Sequence, residues 1–154
     1  QYFQEIDKVK GQKGVLSVEK KLFVETNNGT NRQIRPVTPE QPLRIGDKVI
    51  VRLTIRTDRE MNYVFLKDLR AGCFEPADQL SGPESRDGIW YYRSPKDVSE
   101  NFFINRLPEG TFVLEYPVYV SRSGEYAGGI STIQCMYAPE FVSHTAGESL
   151  RIMP

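Results

Sequence analysis

The chain has 154 residues, 39% of them hydrophobic, with 20 basic against 20 acidic side chains and two cysteines. That length predicts one domain, able to bury roughly 70% of the surface its unfolded chain exposes. The balanced charge supplies no basic face for nucleic acid or an anionic membrane, and no apolar run approaches the ~20 residues of a membrane-spanning helix.

The chain begins at Gln1 rather than Met. It is read as a piece of a longer protein, with residues 1–12 the remnant of a preceding segment or linker and residues 13–154 the domain. In Gln1 to Lys10 the spacing of Tyr2, Phe3, Ile6 and Val9 fits either a short helix or the remnant of a strand. Gly11 to Gly14 is a turn, and Val15 to Glu25 is a strand with a bulge expected at Lys20 and Lys21. Asn27-Asn28-Gly29 is a turn signal. Ile34 to Leu43 carries Pro36, Pro39 and Pro42. Proline has no ladder donor, so this stretch is an edge or an extended connection.

From Val49 the alternation is strict, with Val49, Val51, Leu53 and Ile55 on one face and Ile50, Arg52, Thr54 and Arg56 on the other. Thr57 to Glu60 has no apolar residue and reads as a turn; Asn62 to Leu69 returns as a second strand, so the pair is expected to be a hairpin. Glu75 to Leu80 has room for one helical turn, and Ser81 to Gly88 reads as a polar loop. Trp90, Tyr91 and Tyr92 form an aromatic run, followed by a turn at Ser94 to Asp97 and a short apolar strand at Phe102 to Ile104. Thr111 to Val120 alternates again, and Ser121 to Glu125 reads as a hairpin turn. Tyr126 to Tyr137 is the longest predicted strand; Gly128 and Gly129 inside it indicate a bulge or a close backbone approach. Ala138-Pro139-Glu140 ends it, and Leu150 to Met153 is a final strand. Eight or nine short strands with frequent turns predict an all-β fold, an antiparallel β-sandwich of two packed sheets.

Chemistry is sparse. One histidine, His144, and two distant cysteines do not make the three or four clustered ligands of a metal site. No serine sits in a nucleophile elbow, and Gly128-Gly129 lacks the spacing of a phosphate loop. Scattered carboxylates leave a glycosidase-type pair open, although such pairs sit in larger scaffolds with a cleft. No enzyme activity, metal or cofactor is expected. The run Trp90-Tyr91-Tyr92 has two readings: a platform for sugar or protein, or a strand buried on both faces against Phe102 and Phe103. Aromatic residues in strands usually pack, which favours burial. Near the end of the long strand, Met136, Tyr137 and Phe141 join Pro139 and Glu140 where a polar turn would be ordinary, and that marks Met136 to Phe141 as a contact surface.

The wording of these segments carries a family resemblance. GDKVIVRLTIRTDREMNYVFLKDLRAGCFEPADQLSG, YYRS, NFFINRLPEGTFVLEY and IQCMYAPEF, within Leu43 to Phe141, resemble the last macroglobulin-like domain of bacterial alpha-2-macroglobulin family proteins, in the form carried by Bacteroidetes. GVLSVEKKLFVE is similar to the entry of that domain, and Gln1-Tyr2-Phe3 with Ile6-Asp7-Lys8 to the segment before it. The resemblance implies a macroglobulin- or immunoglobulin-like sandwich. It also implies a non-catalytic structural and docking role in a large protease-trapping protein exported to the periplasm or cell envelope. Its partners would be the other domains of the same chain and, through the parent protein, proteases. In such relatives an upstream domain often holds a reactive thioester, and a tyrosine of the last domain shields it. Met136-Tyr137-Ala138-Pro139-Glu140 matches that wording and points to Tyr137, with packing on its own domain as the other reading. In an exported protein two cysteines suggest a Cys73–Cys135 disulfide, worth about 4 kcal/mol by loop closure; two buried free thiols are the alternative. The runner-up function is a carbohydrate- or surface-binding module of the envelope. Exposed Trp90, Tyr91 and Tyr92 lining a groove would favour it.

Overall fold

The structure is a computed structural model that describes residues 15–28, 31–38, 40–77, 82–86, 89–96, 98–145, 147 and 149–154. The readings made for residues 1–14 therefore lie outside the described residues.

Two sheets pack face to face. The first runs β2 (Asn31–Pro36), β1 (Leu16–Asn28), β4 (Lys48–Thr57), β10 (Gly110–Val120), β6 (Phe74–Pro76) from edge to edge. The second runs β13 (Ala138–His144), β12 (Ser131–Cys135), β5 (Met61–Leu69), β9 (Ser99–Leu107), β8 (Ile89–Pro95), β7 (Gly82–Arg86). A small third sheet holds β11 (Gly124–Ala127), β14 (Ser149–Met153) and β3 (Leu43–Arg44). Its β3–β14 pair is parallel, and the other pairings are antiparallel.

Period-two patterning builds the core. Val49, Val51, Leu53 and Ile55 of β4 are buried beside Leu114, Tyr116 and Val118 of β10. They face Val64 and Leu66 of β5, Phe102 and Ile104 of β9, Tyr91 of β8 and Ile133 of β12 in the second sheet. Rings bridge the layers where Phe102 lies 6.1 Å from Tyr116 between centroids, and within its own sheet Phe102 lies 5.7 Å from Tyr91. The expected all-β sandwich is present. Its fourteen described strands exceed the eight or nine expected, because short pieces such as β3 and β6 pair as well. Pro36 ends β2, which is an edge strand as expected of the proline-bearing stretch.

Several local expectations are corrected. The turn at Thr57–Glu60 does not close a hairpin: β4 and β5 belong to different sheets, so the turn carries the chain across the core. The register of β1 against β4 is continuous through Lys20 and Lys21, with no bulge. Lys20 instead points inward between Val18 and Leu22. Ser81 to Gly88 is not a loop throughout, since Gly82–Arg86 pairs with β8; residues 81, 87 and 88 lie outside the described residues. Phe74–Pro76 is a strand where a helical turn was expected to begin, and residues 78–80 lie outside the described residues. Ser121 to Glu125 links β10 to β11 in another sheet and so is not a hairpin turn. The long strand expected from Tyr126 to Tyr137 is two, β11 and β12, separated at Gly128–Ile130. There Gly129 meets β5 so closely that an added Cβ would lie 1.7 Å from the Leu69 carbonyl oxygen. Glycine is required at that approach, and Leu69 N–H donates to the Ile130 carbonyl beside it at 3.0 Å.

Candidate docking site

Met136 and Tyr137 form the tip of a hairpin. β12 ends at Cys135, and β13 begins at Ala138, so the segment is a turn and a return strand rather than a strand end. The two tip side chains point outward: Met136 is 52% and Tyr137 78% exposed. Glu140 is exposed, and the side chain of Pro139 lies outside the described residues. Phe141 turns the other way. It is half-buried, packs on the core, and lines a cavity of about 120 Å³ with Val15 and Leu16. The Arg59 guanidinium sits 5.2 Å from its ring centre, a cation–π distance. The five candidate residues therefore do not form one surface, since Phe141 turns inward while Met136 and Tyr137 point outward.

Tyr63, which the sequence did not single out, supports that tip. Its ring lies 4.9 Å from the ring of Tyr137, and its carbonyl accepts the Met136 N–H at 2.8 Å. Tyr63 has φ 57°, in the left-handed region, where a bulky side chain costs roughly 1–2 kcal/mol. The effect of that twist is visible in the burial pattern. The register of β5 on β9 is continuous, yet Asn62 and Tyr63 are both exposed, as are Asn105 and Arg106 opposite. Both strands exchange their inward and outward faces at this point. Met61 and Leu107 enter the core, and Tyr63 is aimed at the hairpin tip.

The aromatic run is a further correction. Only Tyr91 is buried, at 6% exposure, while Trp90 is 71% and Tyr92 47% exposed. Phe103 is also exposed, although burial on both faces had been expected. β8 lies near the edge of the second sheet, and its outer face has no third layer over it among the described residues. These rings line neither the small cavity at Phe141 nor a larger one. The larger cavity, about 870 Å³, lies elsewhere, bounded by Lys20, Leu22, Val37, Phe74, Gly129 and Leu150.

The two cysteines are free and buried, so the expected disulfide is absent. Cys135 Sγ donates to the Asn62 carbonyl near one end of β5, whereas the Cys73 carbonyl accepts from Ser121 beyond the other end. At ~3.3 Å per residue that separation is on the order of 20 Å, and a bridge needs Cα atoms within about 7 Å. Burial pushes the Cys73 thiol above its ordinary range, as expected of an inert core thiol.

Charge inside the core also went unread. Asp68 is fully buried, accepting from Lys20 Nζ at 2.7 Å, Ser131 Oγ at 2.6 Å and the Tyr116 phenol. Lys20 and Tyr116 come from the first sheet and Asp68 and Ser131 from the second, so the cluster ties the layers. Glu100, also fully buried, accepts from Arg70 at 3.0 Å and Arg93 at 2.5 Å. Burial pushes the Glu100 carboxyl up; the guanidiniums of Arg93 and then Arg70 oppose that, and the Asp68 charge adds to it. Burial, reinforced by Asp68, holds the Tyr116 phenol well above its ordinary range. The available signal was parity: Lys20, Asp68 and Glu100 each occupy the inward position of an otherwise apolar row. Among the described residues, no three His, Cys, Asp or Glu side chains are placed to hold a metal.

The two packed antiparallel sheets make the chain an all-β sandwich domain with an exposed aromatic hairpin tip. The chain belongs to the bacterial alpha-2-macroglobulin MG10 domain family, whose model matches residues 16–140. The family match is to a macroglobulin domain and not to an enzyme family. The fold is similar to Salmonella alpha-2-macroglobulin reacted with methylamine, with TM-score 0.69 and 21% identity over 92% of this chain and 9% of that one. It is likewise similar to trypsin-activated alpha-2-macroglobulin from Escherichia coli, with TM-score 0.68 and 17% identity over 92% of this chain and 10% of that one. A curated relative, Circularly permutated Ras protein 2 of Dictyostelium discoideum, is 28% identical over 109 residues, 71% of this chain and 3% of that protein. The chain thus spans a tenth or less of these relatives.

Proposed function

We propose that this chain is a structural and docking domain of a bacterial alpha-2-macroglobulin-like protein that traps proteases, exported to the periplasm or cell envelope. Met136 and Tyr137 form its contact with another domain of the parent; Pro139 and Glu140 continue the same edge, and Phe141 anchors it. Where the parent carries a thioester, Tyr137 shields it from water. The observation that carries the reading is the 78% exposure of Tyr137 on a hairpin tip propped by Tyr63. A large aromatic ring held out by ordered neighbours suits an interface better than solvent. The test is Tyr137→Ala in the full-length parent, timing release of free thiol without protease. Faster release supports shielding, and an unchanged rate in a thioester-bearing parent removes it.

A second reading, a carbohydrate- or surface-binding module, draws on the exposure of Trp90 and Tyr92. The buried Tyr91 and the position of both described cavities away from these rings weaken it. Binding of the chain to envelope polysaccharide, abolished by Trp90→Ala, would support it.

A further inference from the structure

The exposed rings are not scattered. Tyr92 pairs with Phe103 across β8 and β9, and Phe103 pairs with Phe65 across β9 and β5. The Phe65 and Phe103 rings stack at 4.8 Å between centroids with planes 26° apart. Trp90 lies two residues from Tyr92 on the same face of β8, and Tyr63 lies two residues from Phe65 on β5. Tyr63 then meets Tyr137. One aromatic surface therefore runs across the outer face of the second sheet, from Trp90 near one edge to the hairpin tip at the other.

We infer that this whole face, and not the hairpin tip alone, is covered by another domain of the parent chain, through a surface that is largely apolar. The inference rests on the proposed docking role and extends it from two residues to a sheet face. Three observations select that occupant. The first is charge. The outward positions of β5, β8, β9 and β12 hold Tyr63, Phe65, Leu69, Trp90, Tyr92 and Phe103 beside amides and hydroxyls, with Lys67 and, where β9 exchanges its faces, Arg106 as their charges and no carboxylate. Such a face offers a partner chiefly apolar contact, with little charge to steer or pair. The second is area. The exposed parts of Trp90, Tyr92, Phe103, Tyr63 and Tyr137 amount to on the order of 600 Å², the upper end of what a monomer leaves open and the scale of one side of a contact between domains. The third is what surrounds the domain in its relatives: the chain covers 9% of the Salmonella protein, so most of such a molecule is other domains. Neither cavity described above is lined by these rings, and that places a glycan second.

The test is hydroxyl-radical oxidation with peptide mapping, on the 154-residue chain and on the full-length parent. Trp90 is the single tryptophan of the chain, so its peptide is unambiguous. In the isolated chain Trp90, Tyr92 and Phe103 are expected to oxidise readily. In the parent each should react at least about fivefold more slowly, as expected for rings moved to an interface core. Phe103→Lys should lower the melting of the isolated chain only slightly, by the loss of its stacking on Phe65, and restore the fast oxidation of Trp90 and Tyr92 in the parent. Equal rates in both proteins overturn the inference. If Tyr137 alone is protected, the docking role of the hairpin survives and the wider face fails; if Tyr137 is unprotected as well, both fail. Binding of the parent to polysaccharide through a freely reactive Trp90 would also overturn it.

Discussion

The phenol of Tyr116 in the first sheet donates its hydrogen bond to Oδ2 of Asp68 in the second, across the centre of the core. Tyr116→Phe keeps the ring and removes that donor, leaving Asp68 with Lys20 and Ser131. The expected loss is about 1–3 kcal/mol, the scale of an under-satisfied buried acceptor, seen as a lower urea midpoint. The alkaline limb carries the same signature. Unfolded tyrosine ionises near pH ~10, while the folded phenol keeps its proton to higher pH. The folded state then binds more protons than the unfolded one, so stability falls as pH rises beyond ~10. The variant should show a shallower decline there, and parallel declines would refute the coupling.

Lys20 and Lys21 are neighbours with opposite fates. Lys20 Nζ reaches Asp68 and the Leu69 and Gly129 carbonyls, whereas Lys21 is exposed on the other face of β1. Lys20→Met strips the counter-cation from a buried carboxylate and should destabilise by about 3–5 kcal/mol. Lys21→Met should stay within about 0.5 kcal/mol. Comparable effects in denaturant titrations would mean that Lys20 is not the ion-pair partner of Asp68.

Glu100→Gln tests whether burial outweighs two guanidiniums. The folded carboxyl is raised above its unfolded value. Its contribution is therefore fully present below pH ~4.3 and lost as pH rises through the folded pKa. The amide variant has no such loss. The stability difference should shift in favour of the variant between about pH 4 and pH 7, read from urea midpoints at each. A shift the other way would show that Arg93 and Arg70 dominate.

Gly129→Ala should be among the most damaging single changes. Its new Cβ would lie 1.7 Å from the Leu69 carbonyl oxygen and 2.5 Å from the carbonyl carbon, both backbone atoms held in β5. Relief requires breaking the contact between β5 and the Gly128–Ile130 link, a loss expected to exceed about 3 kcal/mol. Gly147→Ala has its nearest neighbour at 3.5 Å and should be tolerated. Similar melting temperatures for the two variants would contradict the close approach.

The thiols offer a direct check on the cysteine correction. Both are buried and free, so a thiol reagent should react slowly with the native chain and titrate two groups in denaturant without reductant. Reducing agent should leave the denaturation midpoint unchanged. A midpoint that falls by the scale of a disulfide, about 2–4 kcal/mol, would restore the bond.

Much of the fold was legible in local pattern. Alternation in Val49–Ile55 and Thr111–Val120 marked two core strands, and three prolines placed Ile34–Leu43 at an edge. Gly128-Gly129 announced a close backbone approach, and the wording of Leu43 to Phe141 pointed to the family. These features are encoded within a few residues of chain, because period, proline geometry and glycine freedom are local properties. The partner of each strand is not. The Thr57–Glu60 turn reads as a hairpin but crosses between sheets, since ladder hydrogen bonds join residues distant in sequence and alternation says only that a strand has two faces. For the same reason the burial of Lys20, Asp68 and Glu100 went unread until packing set them opposite partners, and Tyr63 acquired its place only when the hairpin tip lay over it. Trp90 and Tyr92 looked like core until their strand was placed near a sheet edge with nothing described above its outer face; burial is a property of the assembled layers, and the chain by itself does not carry it.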